Sequence, residues 1–322
     1  MVAMPLPEKA LIARIRESGQ RYEGAVKVGI GDDCAVLRLA PKHEMLVTTD
    51  FTLEGIHFRR PWHGPEVVGR RCLTRGLSDI AAMGGEPSAA LLSLALPRDL
   101  PQKWVDGFMK GLLSLASEFK VPLAGGDIAE SPNGIFADII VLGSVPKGKA
   151  ILRSGAKASD RIYVTGELGG SSAALEALLA GEKIRPKQFP RHFHPVPRIV
   201  LGRFLRQRGL ASAMIDLSDG LSTDLAHLCE ESGVGAEIQA DALPLAQVGE
   251  HAGKVGLRNA LHGGEDYELL FTASSDSQVP RRIAGVPVTL IGRVRRERHV
   301  LLKQNRRPPS ELRPQGWQHF AR

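Results

Sequence analysis

The stretch Gly29-Ile30-Gly31-Asp32-Asp33-Cys34-Ala35 sets two adjacent acids in a glycine turn, and five later segments repeat its character. They are Thr48-Thr49-Asp50, Leu77-Ser78-Asp79, Gly125-Gly126-Asp127, Ile215-Asp216-Leu217-Ser218-Asp219-Gly220 and Gly263-Gly264-Glu265-Asp266. In each, carboxylates sit beside small residues. Most follow an apolar run that reads as a strand, so the acids are expected at strand ends, where loops carry chemistry. One Asp in a turn is ordinary, because its side chain accepts a nearby backbone N–H. Six such segments point instead to a metal site. Clustered carboxylates repel one another, and a hard cation such as Mg²⁺, which takes oxygen ligands and shares them with phosphates, relieves that repulsion.

The chain has 322 residues, enough for two domains that each bury a core. Its composition, 43% hydrophobic and 24% charged, is that of a soluble globular protein, and no apolar run approaches the ~20 residues of a membrane span. Glu8, Lys9, Arg14, Arg16 and Glu17 interrupt the N-terminal apolar pattern, so it lacks the uninterrupted apolar core of a signal peptide, and a cytoplasmic location is the expectation. Cys34, Cys72 and Cys229 are widely spaced, with no zinc-ligand grouping, and read as reduced core thiols. A net charge of +7 favours anionic partners, nucleotides or nucleic acid.

Periodicity predicts a helix over 7–18, short strands at 26–28 and 35–39, and a strand at 45–47 that delivers Asp50 beyond its end. A helix from Pro65 to Met83 places Asp79 near its C-terminus, where an acid opposes the helix dipole and where a cation, or Arg75 one turn earlier, offsets the cost. A strand at 88–96 precedes a helix opened by Pro101, whose Trp104, Phe108, Leu112, Leu115 and Phe119 form a core face. The strand from Ile135 to Val145 closes the first half, and Lys147-Gly148-Lys149 reads as the boundary between domains at 1–148 and 149–322. The second half predicts a strand at 161–165 and a glycine turn opening a helix at 171–179. A loop at 182–196, a helix at 197–208 and a strand ending at Asp216 follow. A helix from about Leu221 is capped by Ser218 or Asp219, and strands lie at 267–272, 287–294 and 300–303. Helices and strands alternate in both halves, which indicates α/β or α+β packing.

Gly143 to Ala150 has the Gly and Lys spacing of a P-loop, but Ala150 replaces the hydroxyl residue that meets Mg²⁺, and Ile151-Leu152-Arg153-Ser154-Gly155 is a poor helix start. The basic segment from Arg281 to Arg307 contains no Phe, Tyr or Trp to stack on single strands, and its alternation suits a half-exposed strand.

Taken in order, Gly29-Ile-Gly-Asp-Asp-Cys-Ala, Thr48-Thr-Asp, Leu77-Ser-Asp-Ile-Ala-Ala-Met-Gly, Gly125-Gly-Asp, Arg153-Ser-Gly-Ala-Lys, Ile215-Asp-Leu-Ser-Asp-Gly, Gly263-Gly-Glu-Asp-Tyr-Glu-Leu and Gly316-Trp-Gln-His-Phe resemble the thiamine-monophosphate kinase family across nearly the whole chain. The resemblance implies ATP-dependent phosphorylation of thiamine monophosphate to thiamine diphosphate, on the two-domain fold of the aminoimidazole ribonucleotide synthetase group. In that fold an N-terminal α/β domain pairs its sheet with its twin in a homodimer, and a C-terminal α+β domain completes the substrate cleft. By matching motifs it implies several Mg²⁺ ions held by Asp33, Thr48, Thr49, Asp50, Asp79, Asp127, Asp216 and Asp219. It further implies ATP at Gly126, Asp127, Arg153 and Ser218, thiamine monophosphate at His57, Glu265 and Trp317, and Asp50, Asp127 and Asp219 as the catalytic acids.

The pattern departs from the family at two places: Ile128-Ala129-Glu130 follows Asp127 where Thr-Thr-Arg is common, and Arg75-Gly76 stands where Val-Asn often precedes Leu-Ser-Asp. Among relatives of the same fold group, a selenophosphate synthetase is expected to carry a reactive Cys near its N-terminus, and no Cys precedes Cys34. A hydrogenase-maturation relative ends in a Cys-bearing tail, whereas this chain ends His319-Phe320-Ala321-Arg322. A basic nucleic-acid-binding protein without catalysis is the alternative of a different class, and neither nucleic acid nor a membrane is an expected partner.

The false P-loop has a direct check in nucleotide binding. Lys149→Ala is expected to change ATP affinity little, as measured by titration calorimetry. A hundredfold loss, about 2.7 kcal/mol, would reinstate the motif.

Overall fold

The structure is a computed structural model that describes residues 6–17, 24–30, 34–249, 253–305, 307–318 and 320. Asp33, with Gly31 and Asp32, lies outside the described residues. The chain forms two compact units, one of residues 1–80 and 85–148, the other of 81–84 and 149–322.

The first unit opens with α1 (Glu8–Glu17), β1 (Val26–Val28) and β2 (Val36–Leu37), the last two paired antiparallel. Its main sheet contains β3 (His43–Leu53), β4 (Glu86–Pro97), β5 (Leu123–Ser131) and β6 (Phe136–Pro146), with α2 (Pro65–Ala82) and α3 (Gln102–Phe119) in the connections. The strand order is β3-β6-β4-β5, with β4 and β5 parallel and the other pairs antiparallel. The parallel pair follows from the α3 crossover, which returns the chain to the same end of the sheet. Along β6 the alternate residues Ala137, Ile139, Val141 and Val145 are fully buried. A Cβ on Gly76 would meet Val141 and Thr48, which places α2 directly on β3 and β6.

Two expectations fail here for one reason. Asp50 and Asp127 do not follow strands; they lie inside β3 and β5. Every residue of β3 from His43 to Leu53 finds a partner on β6, so ladder pairing carries the strand past its apolar core. The Gly-Gly pair before Asp127 is not a turn either. Gly126 has φ 149°, and a Cβ there would stand 1.8 Å from the Leu92 carbonyl oxygen, so the glycine permits β5 to close on β4. Cys72 and Cys229 are buried thiols as read, but Cys34 is exposed. Gly143 lies within β6, which removes the glycine loop a P-loop needs.

On the other face of this sheet β1 and β2 pack against Ala89 and Leu142, while its β3 side is open among the described residues. Met45, Val47, Phe51 and Phe136 present apolar side chains there, Val47 at 62% and Phe51 at 58% exposure. These residues alternate with those that face α2, as the strand period of two requires.

In the second unit come β7 (Arg161–Thr165), α4 (Gly170–Leu179), the short α5 (Pro190–Phe193), α6 (Ile199–Gln207), β8 (Ala213–Asp216), α7 (Leu221–Ser232) and β9 (Gly235–Gln239). Then follow β10 (Gln247–Val248), β11 (Gly253–Lys254), α8 (Leu257–His262), β12 (Leu269–Ala273), β13 (Arg282–Ile283), β14 (Val286–Arg295), β15 (Val300–Lys303) and β16 (Ser310–Glu311). The large sheet runs β16-β15-β9-β14-β7-β12-β8 with β13 beside β14, and only β9 and β15 of these pairs are parallel. Its core joins Ile162, Val164, Ile215, Leu270 and Ile291 to Leu221, Leu225 and Leu228 of α7. β9 escapes the sequence reading because Gly-Ala-Glu-Ile-Gln lacks a strand's composition; Gly235 serves close approach, its Cβ falling 1.9 Å from the Glu297 carbonyl. The basic segment contains β14, which is half-buried but does not alternate: Val288, Ile291 and Val294 are buried at steps of three, because the register shifts between Leu290 and Gly292.

Close helix crossing in the first unit gives a stability test. A Cβ on Gly111 of α3 would lie 1.9 Å from the Glu66 carbonyl of α2. Gly111→Ala is expected to lower stability by about 1–3 kcal/mol in urea unfolding, through overpacking.

Candidate functional site

The seam between β3 and α2 holds the first group of acids. Thr48, Asp50 and Thr52 alternate onto one face of β3, and Cys72, Arg75 and Asp79 share one face of α2 at steps of three and four. Strand and helix advance by similar distances over these steps, so the residues meet as rungs. The Thr48 hydroxyl donates to Asp79, offsetting an acid near the helix C-terminus. Arg75 Nε donates to Asp50 Oδ1 at 2.9 Å. Burial pushes the Cys72 thiol at the third rung up to about 12, while the Thr52 hydroxyl and the Arg75 charge pull the other way. That thiol is inert structure.

Thr49 does not join this seam. It points to the other face of β3, where its hydroxyl donates to Asp138 Oδ1 at 2.5 Å. His57 sits in the turn after β3, its Nδ1 accepting the Leu53 N–H at 3.0 Å, so the neutral ring carries its proton on Nε2.

Asp127 is elsewhere. Asp50 aligns with Ile139, Leu92 and Gly126 across three ladder steps, which puts it about 14 Å from the β5 edge where Asp127 lies. Asp127 also alternates to the opposite face, in line with Ser93 and Asp138. One ion cannot take both Asp50 and Asp127 from a single chain. The exposed Asp127 carboxylate accepts the Ile128 N–H at 2.9 Å. With Gly125 and Gly126 it lines a cavity of about 750 Å³, whose wall also includes Gly29, Ile30, Cys34 and Ala35. The Gly29 and Gly125 motifs, nearly a hundred residues apart, therefore meet at one cavity.

The second unit gathers five expected residues around the start of α7: Asp216, Ser218, Asp219, Glu265 and Trp317. Asp216 ends β8 and is buried. The Glu265 N–H donates to the Ser218 carbonyl at 2.8 Å, and the Trp317 N–H donates to the Asp219 carbonyl at 3.1 Å. A Cβ on Gly316 would lie 2.0 Å from that same Asp219 oxygen, so only glycine lets the C-terminal segment cross here. The Trp317 ring is 52% exposed, which excludes a role as a core anchor. Arg153 is placed differently. Ser232 Oγ, at the far end of α7 from Ser218, donates to the Arg153 carbonyl at 2.8 Å and accepts from Gly155 and Ala156. α7 is about 18 Å long, so Arg153 and Ser218 attach to opposite ends of it.

Neither Ser218 nor Asp219 caps α7. Gly220 holds the N-cap position with φ 114°, and the loop is tied from within by Asp224, whose Oδ2 accepts the N–H groups of Asp219 at 3.2 Å and Gly220 at 3.0 Å. Burial, then the charges of Asp216 and Asp219, hold the Asp224 carboxyl well above the usual carboxylate range. Asp224 was missed because its signal, an acid in the first turn of a helix, is common.

Glu265 is aimed by its neighbours. It and Tyr267 have φ of 63° and 50°, while Asp266 and Glu268 between and after them turn inward. Asp266 accepts the Gly169 and Ser171 N–H groups at 2.6 and 3.3 Å, at the N-terminus of α4. Fully buried Glu268 takes the Thr165 hydroxyl and Arg198 Nε, each at 2.7 Å, and pairs with Arg191. Burial pushes the Asp266 carboxyl up to about 7.

Among the described residues no three His, Cys, Asp or Glu side chains stand together as a ready metal site. The donor chemistry nevertheless fits Mg²⁺: hydroxyl and carboxylate oxygens of Thr48, Asp50 and Asp79 on the seam, and the carboxylates of Asp216 and Asp219 at one loop.

Both units match recognised domains. Residues 31–145 match the family described as AIR synthase related protein, N-terminal domain, and residues 157–300 match its C-terminal domain, which defines a two-domain protein of that fold class. The chain is 38% identical to the thiamine-monophosphate kinase of Escherichia coli K12, covering 99% of each chain. It superposes on the thiamine-monophosphate kinase of Stenotrophomonas maltophilia with a TM-score of 0.79 and 33% identity, covering 94% of this chain and 99% of that one. A structure of AaThiL complexed with AMPPCP and TMP matches at a TM-score of 0.76 and 33% identity, covering 97% of each. The chain belongs to the thiamine-monophosphate kinase family.

The raised carboxyl of Asp266 sets a pH test. A folded-state value near 7 against about 3.9 when unfolded means that the folded chain binds this proton more tightly. Its contribution is fully present below about pH 4 and is lost as pH rises to about 7. The stability penalty of Asp266→Asn is therefore expected to be largest at low pH and to shrink across that window, as measured by urea unfolding at pH 4.5, 6 and 7.5.

Proposed function

We propose that this chain transfers the terminal phosphoryl group of ATP to the phosphate of thiamine monophosphate, forming thiamine diphosphate and ADP by direct in-line transfer. The observation that carries this reading is likeness over the whole length: 38% identity to a thiamine-monophosphate kinase, with a fold matched end to end by AaThiL complexed with AMPPCP and TMP.

The acceptor is a phosphate monoester whose second pKa is about 6, so it is largely a dianion at neutral pH and needs no general base. What the chain must overcome is repulsion between two polyanions. Several Mg²⁺ ions, when bound, supply charge neutralisation and alignment of the phosphates. Asp33, Thr48, Thr49, Asp50, Asp79, Asp127, Asp216 and Asp219 offer the hard oxygen donors for them. Gly126, Asp127, Arg153 and Ser218 take ATP, with Gly126 exposed at the cavity wall. His57, Glu265 and Trp317 take thiamine monophosphate. The half-exposed indole of Trp317 suits a flat, permanently cationic thiazolium, worth about 0.5–2 kcal/mol.

The open apolar face bearing Val47 and Phe51 supports a homodimer formed through the first unit's sheet. The proposed place of action is the cytoplasm, with neither nucleic acid nor a membrane as partner. Among the described residues no helix is long and apolar enough to cross a bilayer.

The test is a coupled assay of the purified chain with ATP, Mg²⁺ and thiamine, thiamine monophosphate, aminoimidazole precursors or selenide as acceptor. Turnover only with another acceptor would overturn the assignment. Asp127→Asn is expected to reduce turnover by orders of magnitude with an unchanged melting temperature, and near-normal turnover at limiting Mg²⁺ would remove Asp127 from the ligands.

A further inference from the structure

The Arg75–Asp50 pair is placed inside the seam rather than on the surface, with side chains 14% and 29% exposed. Asp50 is one of the carboxylates read above as an Mg²⁺ ligand, and the present argument rests on that reading. A guanidinium and a divalent cation are drawn to the same carboxylate lone pairs, so the side of Oδ1 that faces Arg75 Nε is closed to a metal. With Thr52, His57, Phe58, Val68 and the buried Arg71, Arg75 lines a cavity of only about 10 Å³, no larger than one water needs, so little free space adjoins it there. The helix also keeps Arg75 one turn from Asp79, so Asp50, Asp79 and Arg75 together carry a net charge of −1 where two bare carboxylates would carry −2.

We propose that Arg75 is a resident counter-ion: it neutralises Asp50 in the metal-free chain and keeps the affinity of the substrate-free chain for divalent cations low. Metal then loads at this seam chiefly together with polyphosphate, whose negative charge restores the attraction that Arg75 removes. Arg75 is a positioning residue here, acting through Asp50.

The experiment measures Mn²⁺ binding to the full chain without substrates, by electron paramagnetic resonance, with Mg²⁺ competition. Arg75→Met is expected to bind Mn²⁺ about tenfold more tightly than the unaltered chain, the scale of one adjacent unit charge. Its metal-free melting temperature should fall, with the difference closing at saturating Mn²⁺. Arg75→Gln, which keeps a donor but removes the charge, should tighten binding likewise, and adding Asp50→Asn should abolish the gain. If Asp50→Asn weakens Mn²⁺ binding but neither Arg75 variant strengthens it, the counter-ion role is wrong and the Mg²⁺ assignment stands. If Asp50→Asn leaves binding unchanged, the assignment of Asp50 fails and this proposal fails with it.

Discussion

A carboxylate taken partly out of water must be given donors or a cation, and this chain meets that demand differently for each acid. Asp79 receives a hydroxyl from Thr48, and Asp50 a guanidinium from Arg75. Asp224 and Asp266 are filled by backbone N–H groups at the starts of helices, and Glu268 by arginines. The deeply buried members of this set hold loops in place, whereas Asp127 stands exposed at a cavity edge. Burial alone does not divide scaffold from site, since Asp216 is buried and is still read as a metal donor. Replacing a scaffold acid such as Glu268 would strip the mostly buried Arg198 of that carboxylate and leave Arg191 with the longer contact to Glu167, which costs far more than the ion pairs themselves contribute.

The acid-bearing segments of the candidate site stand out from residues alone, because paired acids among glycines and small residues are rare enough to be noticed when they recur; their separate roles came from the family resemblance. The helices were readable too, since Phe108, Leu112 and Leu115 repeat at helical spacing and are all fully buried. What escaped was anything decided by a distant partner. Gly125-Gly126 looks like a turn, yet Gly126 is required by the approach of β4, a strand formed some thirty residues earlier. Asp50 looks like a residue beyond a strand, yet pairing with β6 extends β3 through it. Asp224 reads as one more helix acid until the loop before it folds back over its carboxylate. Local pattern reports which residues prefer a turn or a helix; it carries no record of which backbone will come alongside.

The same long-range pairing bears on how the first unit is made. Between Leu53 and its ladder partner Phe136 the chain builds α2, β4, α3 and β5, so β3 leaves the ribosome well before β6 exists to receive it. Loop closure of that span has to be paid in entropy before any ladder bond forms, which slows folding. In the interval β3 is an unpaired edge with Val47 and Phe51 on one face, the kind of segment that associates with other nascent chains. Thr48 and Asp50 on the opposite face break its apolar run, so the residues assigned to phosphate chemistry also serve as gatekeepers against aggregation during synthesis.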